Sequence, residues 1–279
     1  MKEETTTLGK KAGKPFVPRE PALREDFTET AFGLNMEMVY VEGGEFEMGA
    51  TAEQGDDAYD REKPVRTIKL DGYHIGKYEV TQAQWKEVMG TSLKEQRDKA
   101  NPGWPLYGEG DDYPMYYVSW EEAQEFCKRL SKKTGKKYVL PTEAMWEYAA
   151  RGGVHKTKTK YAGSNDIEEV AWCYENSCAL GSEHPDYGTH PVGMKKANAL
   201  GIYDMSGNVW EWCSDWRIIN VRYDEKEYYN PQGPVEGSLR AGRGGSWYHY
   251  AVNCRVSNRG CFNPGGRYRR LGFRVVCIL

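Results

Sequence analysis

The side chains best suited to nucleophilic or soft-metal chemistry are seven cysteines and five histidines. Thiolates and imidazoles are the ligands that zinc and copper prefer. The cysteines form no C-x-x-C pair and have no histidine beside them, so a zinc site is not expected. Most are interpreted as small buried apolar residues, with Cys173 and Cys178 the best local disulfide candidate. The cysteines are Cys127, Cys173, Cys178, Cys213, Cys254, Cys261 and Cys277.

Two acidic stretches could offer oxygen ligands to a hard metal ion. Residues 53–62 have the sequence EQGDDAYDRE, and residues 107–115 have the sequence YGEGDDYPM. Asp57, Asp111 and Asp112 lack a partner histidine, so both stretches are interpreted as solvated loops. No phosphate loop, Ser/His/Asp order or pair of glycosidase carboxylates can be argued from the spacing.

The elements that position these residues are few. Three helices are predicted, each opened by a Ser or Thr cap and closed by glycine. The clearest follows Ser119, because Glu122 three residues later completes a capping box. The helices begin at Thr81, Ser119 and Thr142 and end at Gly90, Gly135 and Gly152.

Residues 36–50 and 67–81 show apolar alternation broken by turn residues, which predicts two hairpin-like units. Residues 1–34 are polar, carry three prolines and are interpreted as an extended arm or tether. A single α+β domain is predicted for residues 35–279, with much irregular backbone between 153 and 200.

Composition narrows the function classes. Aromatic residues make up 13% of the chain and there are 31 glycines, which suits a loop-rich domain pinned by large rings. The net charge of −3 gives no reason to expect a nucleic-acid partner. No run approaches the roughly 20 apolar residues of a membrane span. The polar start MKEETTTLGKK has no export signal.

Six motifs, in order, resemble those of the formylglycine-generating-enzyme, or sulfatase-modifying-factor, family. They are GGEFEMG, DGYHIGKYEVTQAQW, VSWEEAQEFC, LPTEAMWEYAARGG, GIYDMSGNVWEWCSDW and RGGSW…LGFR. The resemblance covers roughly residues 35–279. It implies a C-type lectin fold with two small twisted antiparallel sheets, two main helices and extensive loops.

The resemblance also implies where an active site would lie. Family enzymes oxidise a substrate cysteine with two copper-binding cysteines in a pattern like RGGSxxCxxxxC. Here the first position is His249 and the second is Cys254, so the thiol pair is broken. Imidazole and thiolate can both bind copper, which leaves a divergent oxidoreductase acting through Cys254 as an alternative. The iron-dependent sulfoxide synthases need a three-histidine site from a further helical domain, which this chain has no room for.

Residues 243–276 suggest a different member class, the variable proteins of diversity-generating retroelements. In that class a reverse transcriptase randomises adenines, chiefly in asparagine AAC codons, and the products exclude Trp, Gln, Lys, Glu and Met. Islands between the framework residues here contain none of the five. The predicted variable, ligand-binding positions are Tyr248, His249, Tyr250, Val252, Gly260, Cys261, Phe262, Asn263, Gly266, Tyr268, Arg269 and Arg270.

The residues between the islands are predicted to build the loop. Glycines at 244, 245, 265 and 272 permit turns, and Pro264 stiffens the backbone. Guanidinium groups can bind carbonyls and carboxylates through a fork of donors, so the framework arginines are expected to fix the loop. These are Arg243, Arg255, Arg259, Arg267 and Arg274. Ordinary buried tyrosines and a solvated arginine face are the competing interpretation.

A structural calcium ion is a further expectation from the resemblance. The turn GNVWEW coincides with a family calcium site, and Asp204, Gly207, Val209 and Glu211 match its ligand positions. The competing interpretation is a tight turn braced by Glu211. A second family site near 169–186 is not recognisable.

The leading hypothesis is therefore a non-enzymatic, receptor-like protein that needs no cofactor. Its ligand is expected to be a protein or other macromolecule, because scattered variable side chains make a broad patch. The resemblance implies a monomer displayed at the cell surface as an outer-membrane lipoprotein, its lipid attached upstream of Met1. Besides the oxidoreductase, a structural envelope protein without variability is a third alternative.

Overall fold

The structure, a computed structural model, describes residues 23–217 and 229–279. Its helices are short except for one. They are α1 Gln82–Met89, α2 Leu93–Ala100, α3 Trp120–Thr134, α4 Glu143–Ala150 and α5 Ile167–Val170. The strands are β1 Phe27–Glu29, β2 Met36–Val41, β3 Gly44–Met48, β4 Arg66–Leu70, β5 Tyr73–Gly76, β6 Lys137–Val139, β7 Trp210–Arg217, β8 Leu239–Arg243, β9 Gly260–Phe262, β10 Leu271–Gly272 and β11 Val276–Ile278.

The cap residues define the helix ends as predicted. Ser119 Oγ accepts from the Glu122 amide while the Glu122 carboxylate accepts from the Ser119 amide, and Gly135 closes α3 in the left-handed conformation. Gly90 closes α1 in the same way. The sequence interpretation omitted α2, although Ser92 opens it with another capping box.

The strands form a five-stranded sheet in the order β1-β2-β5-β11-β6, a four-stranded sheet in the order β10-β7-β8-β9 and the pair β3-β4. The pairings between these described strands are antiparallel except that of β7 with β10, where Trp210 lies opposite Leu271. The C-terminal strand β11 is an inner strand of the five-stranded sheet, since Val276 lies between Ile75 and Val139. The α+β prediction is confirmed.

The two hairpin-like units were predicted with the wrong pairing. Strands β2 and β3 do not pair with each other. Instead β2 pairs with β5 and β3 pairs with β4. The two connections cross in close contact, because a Cβ at Gly43 would lie 2.7 Å from the Gly72 amide nitrogen. Glycine is needed there for backbone to pass backbone.

The domain also begins earlier than residue 35. Phe27 pairs with Met38 across β1 and β2, and Phe32 packs against the core. The predicted tether, residues 1–34, therefore extends too far, because residues 27–34 belong to the domain. Residues 1–22 lie outside the described part. Within that part, no helix is both long and apolar enough to cross a bilayer.

Candidate functional site

The segment 243–276 is held to the rest of the domain by buried ion pairs. Arg243 and Arg259 both bind Glu143 in α4, through Nε to Oε2 distances of 2.9 and 2.7 Å. Arg243 also donates to Glu147, one turn further along α4, and to the carbonyls of Val256 and Asn258. A single guanidinium thus joins α4, β8 and the turn before β9.

Arg255 makes a second anchor on the opposite side of the loop. Its Nη1 and Nη2 donate to the two oxygens of Glu62 at 2.7 and 2.6 Å, and its Nε donates to the Val252 carbonyl. Both side chains are fully buried. Burial opposes ionisation of Glu62, but the hydrogen bonds from Arg255 and Ser257 outweigh it and lower the Glu62 pKa.

Part of the acidic stretch 53–62 was therefore misinterpreted as solvated. Glu62 is buried against Arg255, and Glu53 forms an ion pair with Arg151. These carboxylates are structural because each neutralises a guanidinium that is nearly excluded from solvent. Asp57, Asp111 and Asp112 are exposed, as predicted.

The far end of the segment is fixed to the start of α3. The Arg267 Nη2 lies 3.0 Å from Glu122 Oε1. Backbone hydrogen bonds from Tyr117 N to Tyr268 O and from Trp120 N to Pro264 O hold the same loop. The framework arginines thus bind carboxylates and carbonyls as predicted.

All the predicted variable positions retain solvent exposure, whereas residues 254–259 and 271–277 between and beyond them are buried. Tyr250 and Asn263 are exposed and the other ten are half-buried, and we call this set of positions the variable surface. Its members are Tyr248, His249, Tyr250, Val252, Gly260, Cys261, Phe262, Asn263, Gly266, Tyr268, Arg269 and Arg270. Tyr250 is the most exposed large residue among them, at 57%.

Aromatic contacts make the variable surface continuous. Tyr268 packs on Phe262 with ring centroids 5.5 Å apart. Phe262 and His249 both meet the edge or face of Trp210, at 5.7 and 5.5 Å. Tyr248 lies next to His249 at 6.2 Å. Trp210 itself is buried, so it forms a floor beneath side chains from separate islands.

Residues outside the segment border this surface, and the sequence interpretation missed them. Tyr107 and Tyr187 pack on Trp247 at 5.0 and 5.3 Å, and Tyr174 packs on Tyr250 at 4.5 Å. Glu175 accepts from the Ala251 amide. The only sequence signal was the density of tyrosine in two loops, because no spacing links them to residues 243–276.

His249 is a neutral side chain that faces Trp210. Its Nδ1 accepts from Trp210 Nε1 at 3.1 Å and lies 2.7 Å from Ser246 Oγ. Burial and the nearby Arg270 charge lower its pKa to about 4. At neutral pH the imidazole therefore contributes shape and a hydrogen bond to the surface and no charge.

Cys254 faces a different part of the molecule. It is buried in an apolar cluster with Tyr161, Val170 and Cys173, and burial raises its pKa well above the ordinary value. Gly245 packs directly on it in the left-handed region, because a Cβ there would lie 2.5 Å from Sγ. A buried thiol of raised pKa supplies little thiolate, which is the nucleophile and metal ligand.

All seven cysteines are free in the structure. The predicted Cys173–Cys178 disulfide is wrong, since Cys173 lies in the cluster with Cys254 while Cys178 packs against the larger core. The other expectation, that most cysteines are buried apolar residues, is confirmed for five of them, Cys127, Cys173, Cys213, Cys254 and Cys277.

In the turn that was expected to bind calcium, the carboxylate of Glu211 is bound by an arginine. Both oxygens of Glu211 accept from Arg274, at 2.6 and 2.7 Å, and one also accepts from Trp146 Nε1. Asp204 Oδ2 accepts from the Gly193 amide. Within the described ranges no three His, Cys, Asp or Glu side chains cluster as metal ligands. The contacts made by Glu211 and Asp204 need no ion, and calcium here stays a prediction.

The fold, together with the segment 243–276 held by its arginines, is that of a known protein family. The sulfatase-modifying factor enzyme 1-like domain matches residues 24–278, so the chain belongs to that family. Its architecture is the C-type lectin fold of formylglycine-generating enzymes, with the β3-β4 pair and the parallel β10 contact added to the two expected sheets.

Its relatives include proteins with different named roles. Chaperone protein LppX of Paenibacillus barcinonensis is 32% identical, over 86% of this chain and 89% of its own. The formylglycine-generating enzyme of Mus musculus is 30% identical, over 86% and 74%. The solved structure of Treponema denticola variable protein 1 superposes with a TM-score of 0.73 at 31% identity, covering 92% of this chain and 99% of that one. Family membership alone is thus compatible with catalysis and with binding.

Replacing Arg255 tests the buried anchor. Arg255→Met leaves the Glu62 carboxylate buried without its counter-charge, and we expect a loss of about 3–5 kcal/mol in the free energy of unfolding. Adding Glu62→Gln should recover part of it. Arg269→Met, a charge loss on the variable surface, should cost about 1 kcal/mol or less. Urea unfolding followed by circular dichroism measures all three, and equal losses for Arg255 and Arg269 would contradict the division between framework and surface.

Asp204 should make stability fall with rising pH. Burial raises its pKa to about 6, above the ordinary value of 3.8, so the folded state binds this proton more tightly between those pH values. Stability from that proton is present at acid pH and lost as pH rises towards 6. Asp204→Asn keeps an acceptor for the Gly193 amide, and in EDTA at pH 8 we expect it to gain about 1–3 kcal/mol.

Unfolding at pH 4 is the internal control, because Asp204 is then protonated and the gain should vanish. A variant that is less stable than the original at pH 8 would contradict this account. Repeating the measurement with Ca²⁺ in place of EDTA tests the calcium prediction. A rise in Tm that Asp204→Asn lacks would support an ion, and identical curves would count against one.

Proposed function

We propose that this chain is a non-enzymatic, ligand-binding variable protein that displays a retroelement-diversified surface on a C-type lectin scaffold. The observation that carries the proposal is the partition of residues 243–277. The positions predicted to vary all keep some solvent exposure, while residues 254–259 and 271–277 are buried and the framework arginines bind distant elements. Such a partition lets side chains change without disturbing the fold.

The shape of the surface supports a macromolecular ligand. Its aromatic residues run from Tyr268 to Phe262 and, above the buried Trp210, to His249. Tyr250 continues the surface onto Tyr174 in another loop. Tyrosine and arginine dominate binding hot spots because they bury large area and keep polar groups. We propose a protein ligand bound by a monomer at the cell surface, with an upstream lipid as the membrane attachment.

The similarity to a formylglycine-generating enzyme supports a second candidate, a copper oxidoreductase. The surroundings of Cys254 disfavour it, since the thiol has a raised pKa and His249 Nδ1 is engaged by Trp210 and Ser246. Copper-dependent turnover of a cysteine peptide that Cys254→Ala abolishes would favour this candidate over ours.

The gene's surroundings test diversification directly. We expect the neighbouring DNA to contain a non-coding repeat nearly identical to codons 243–276 that encodes asparagine at the variable positions, together with a reverse-transcriptase gene. Sequencing that region is the measurement. A complete neighbourhood with neither feature would overturn the proposed mechanism of variation.

The scaffold should tolerate asparagine at the islands. The combination of Tyr248→Asn, His249→Asn and Tyr250→Asn removes side chains that are exposed or half-buried. We therefore expect Tm to fall by a few degrees while unfolding stays two-state. The matched control is Trp247→Asn, which empties a fully buried site in the same stretch and should cost about 3–5 kcal/mol. Loss of cooperative unfolding in the triple variant would show that the islands belong to the core.

A further inference from the structure

The arginines of residues 243–274 fall into two groups. Five bind carboxylates: Arg243, Arg255, Arg259, Arg267 and Arg274. Arg269 and Arg270, both on the variable surface, have no ion pair with any carboxylate of the described chain. Arg269 donates to the Tyr107 hydroxyl at 2.8 Å, and the Nε of Arg270 is buried without a hydrogen-bond partner. The guanidinium groups of Arg269 and Arg270 therefore lie at the variable surface with N–H donors that have no partner among the described residues.

Both guanidiniums are held in place by one tyrosine ring. The Cζ atoms of Arg269 and Arg270 lie 4.4 and 5.6 Å from the centroid of Tyr248. Arg269 also lies 5.0 Å from the centroid of Tyr107. A guanidinium stacked on a ring keeps its planar edge free for a bidentate acceptor. Burial and the neighbouring Arg269 charge lower the pKa of Arg270, which an added anion would relieve.

An apolar half adjoins this charged half. His249 and Phe262 pack on Trp210, Tyr268 packs on Phe262, and His249 carries no charge at neutral pH. An occupant that satisfies both halves must present an anionic group beside an aromatic or aliphatic one. In an interface, a charge that stays unpaired after desolvation weakens binding, so the acid is as necessary as the apolar contact.

We propose, resting on the proposed function, that the variable surface in this sequence binds an acidic peptide segment in which Asp or Glu neighbours an aromatic or aliphatic residue. The carboxylate accepts from Arg269 and Arg270, and the apolar side chain packs on Phe262 and Tyr268. A nucleic acid or sulfated polymer fits less well, because it requires a series of cations. The described surface has two unpaired arginines, and Glu175 borders it.

An array of random dodecapeptides probed with the full chain tests this preference. We expect bound peptides to be enriched in Asp or Glu within two positions of an aromatic or aliphatic residue. For a selected peptide, Arg269→Gln with Arg270→Gln should weaken binding at least tenfold in 0.15 M salt, and Phe262→Ser should weaken it severalfold. Arg129→Gln, a charge loss in α3 outside the surface, should leave Kd unchanged.

The other outcomes separate this inference from the proposed function. Bound peptides without acidic enrichment, or binding that survives both arginine changes, would overturn the acidic preference and leave a binding protein. Stronger binding to phosphotyrosine peptides or heparin in parallel wells would identify a different anion and overturn the peptide carboxylate. No peptide bound at all would overturn the inference, while the genomic repeat independently tests the proposed function.

Discussion

The structure depends on guanidinium–carboxylate contacts, three of them buried and one partly exposed, that fasten one irregular segment to four distant parts of the chain. Glu62, Glu122, Glu143 and Glu211 each accept from an arginine of residues 243–274. A buried charge without its partner is strongly unfavourable, so each contact fixes the position of a short length of backbone. The segment has little regular structure of its own, and these contacts replace the strand ladders and helix bonds it lacks.

This arrangement separates the energy of folding from the chemistry of the surface. The arginine side chains that fix the loop point inwards, whereas the islands between them keep solvent exposure. Changes in the islands therefore remove few of the buried contacts that stabilise the folded chain. Some coupling remains within the surface, because the ring of Tyr268 lies across Gly266 and that of Phe262 across Gly260. A larger residue at either glycine requires its neighbour to move.

Local chemistry made the helices and the role of the arginines predictable. Capping boxes and closing glycines are decided within a few residues, so α1 and α3 were placed from sequence. The partners of the arginines were not predictable, since Glu62 lies 193 residues from Arg255 and no pattern connects them. Strand pairing failed for the same reason: alternation identifies a strand, but the crossing at Gly43 and Gly72 is a tertiary contact.

The candidate site shows the same limit. The islands could be recognised from their residue types, yet Tyr107, Tyr174 and Trp210, which border or support them, carry no mark of that role in the sequence. Cys254 illustrates the converse, because its position in a family pattern suggests chemistry and its surroundings disfavour it. Thiol reactivity depends on burial and neighbouring charge, and both are properties of the folded chain.

The two halves of the surface also explain why neutral and charged residues can coexist there without destabilising the fold. Arg269 and Arg270 lie over the ring of Tyr248, so each retains the favourable field of the ring without an ion pair to a carboxylate of the described residues. Four framework arginines, Arg243, Arg255, Arg259 and Arg274, differ in being buried against carboxylates. The same residue type thus serves folding where its partner belongs to the chain, and recognition where the partner must be supplied by another molecule.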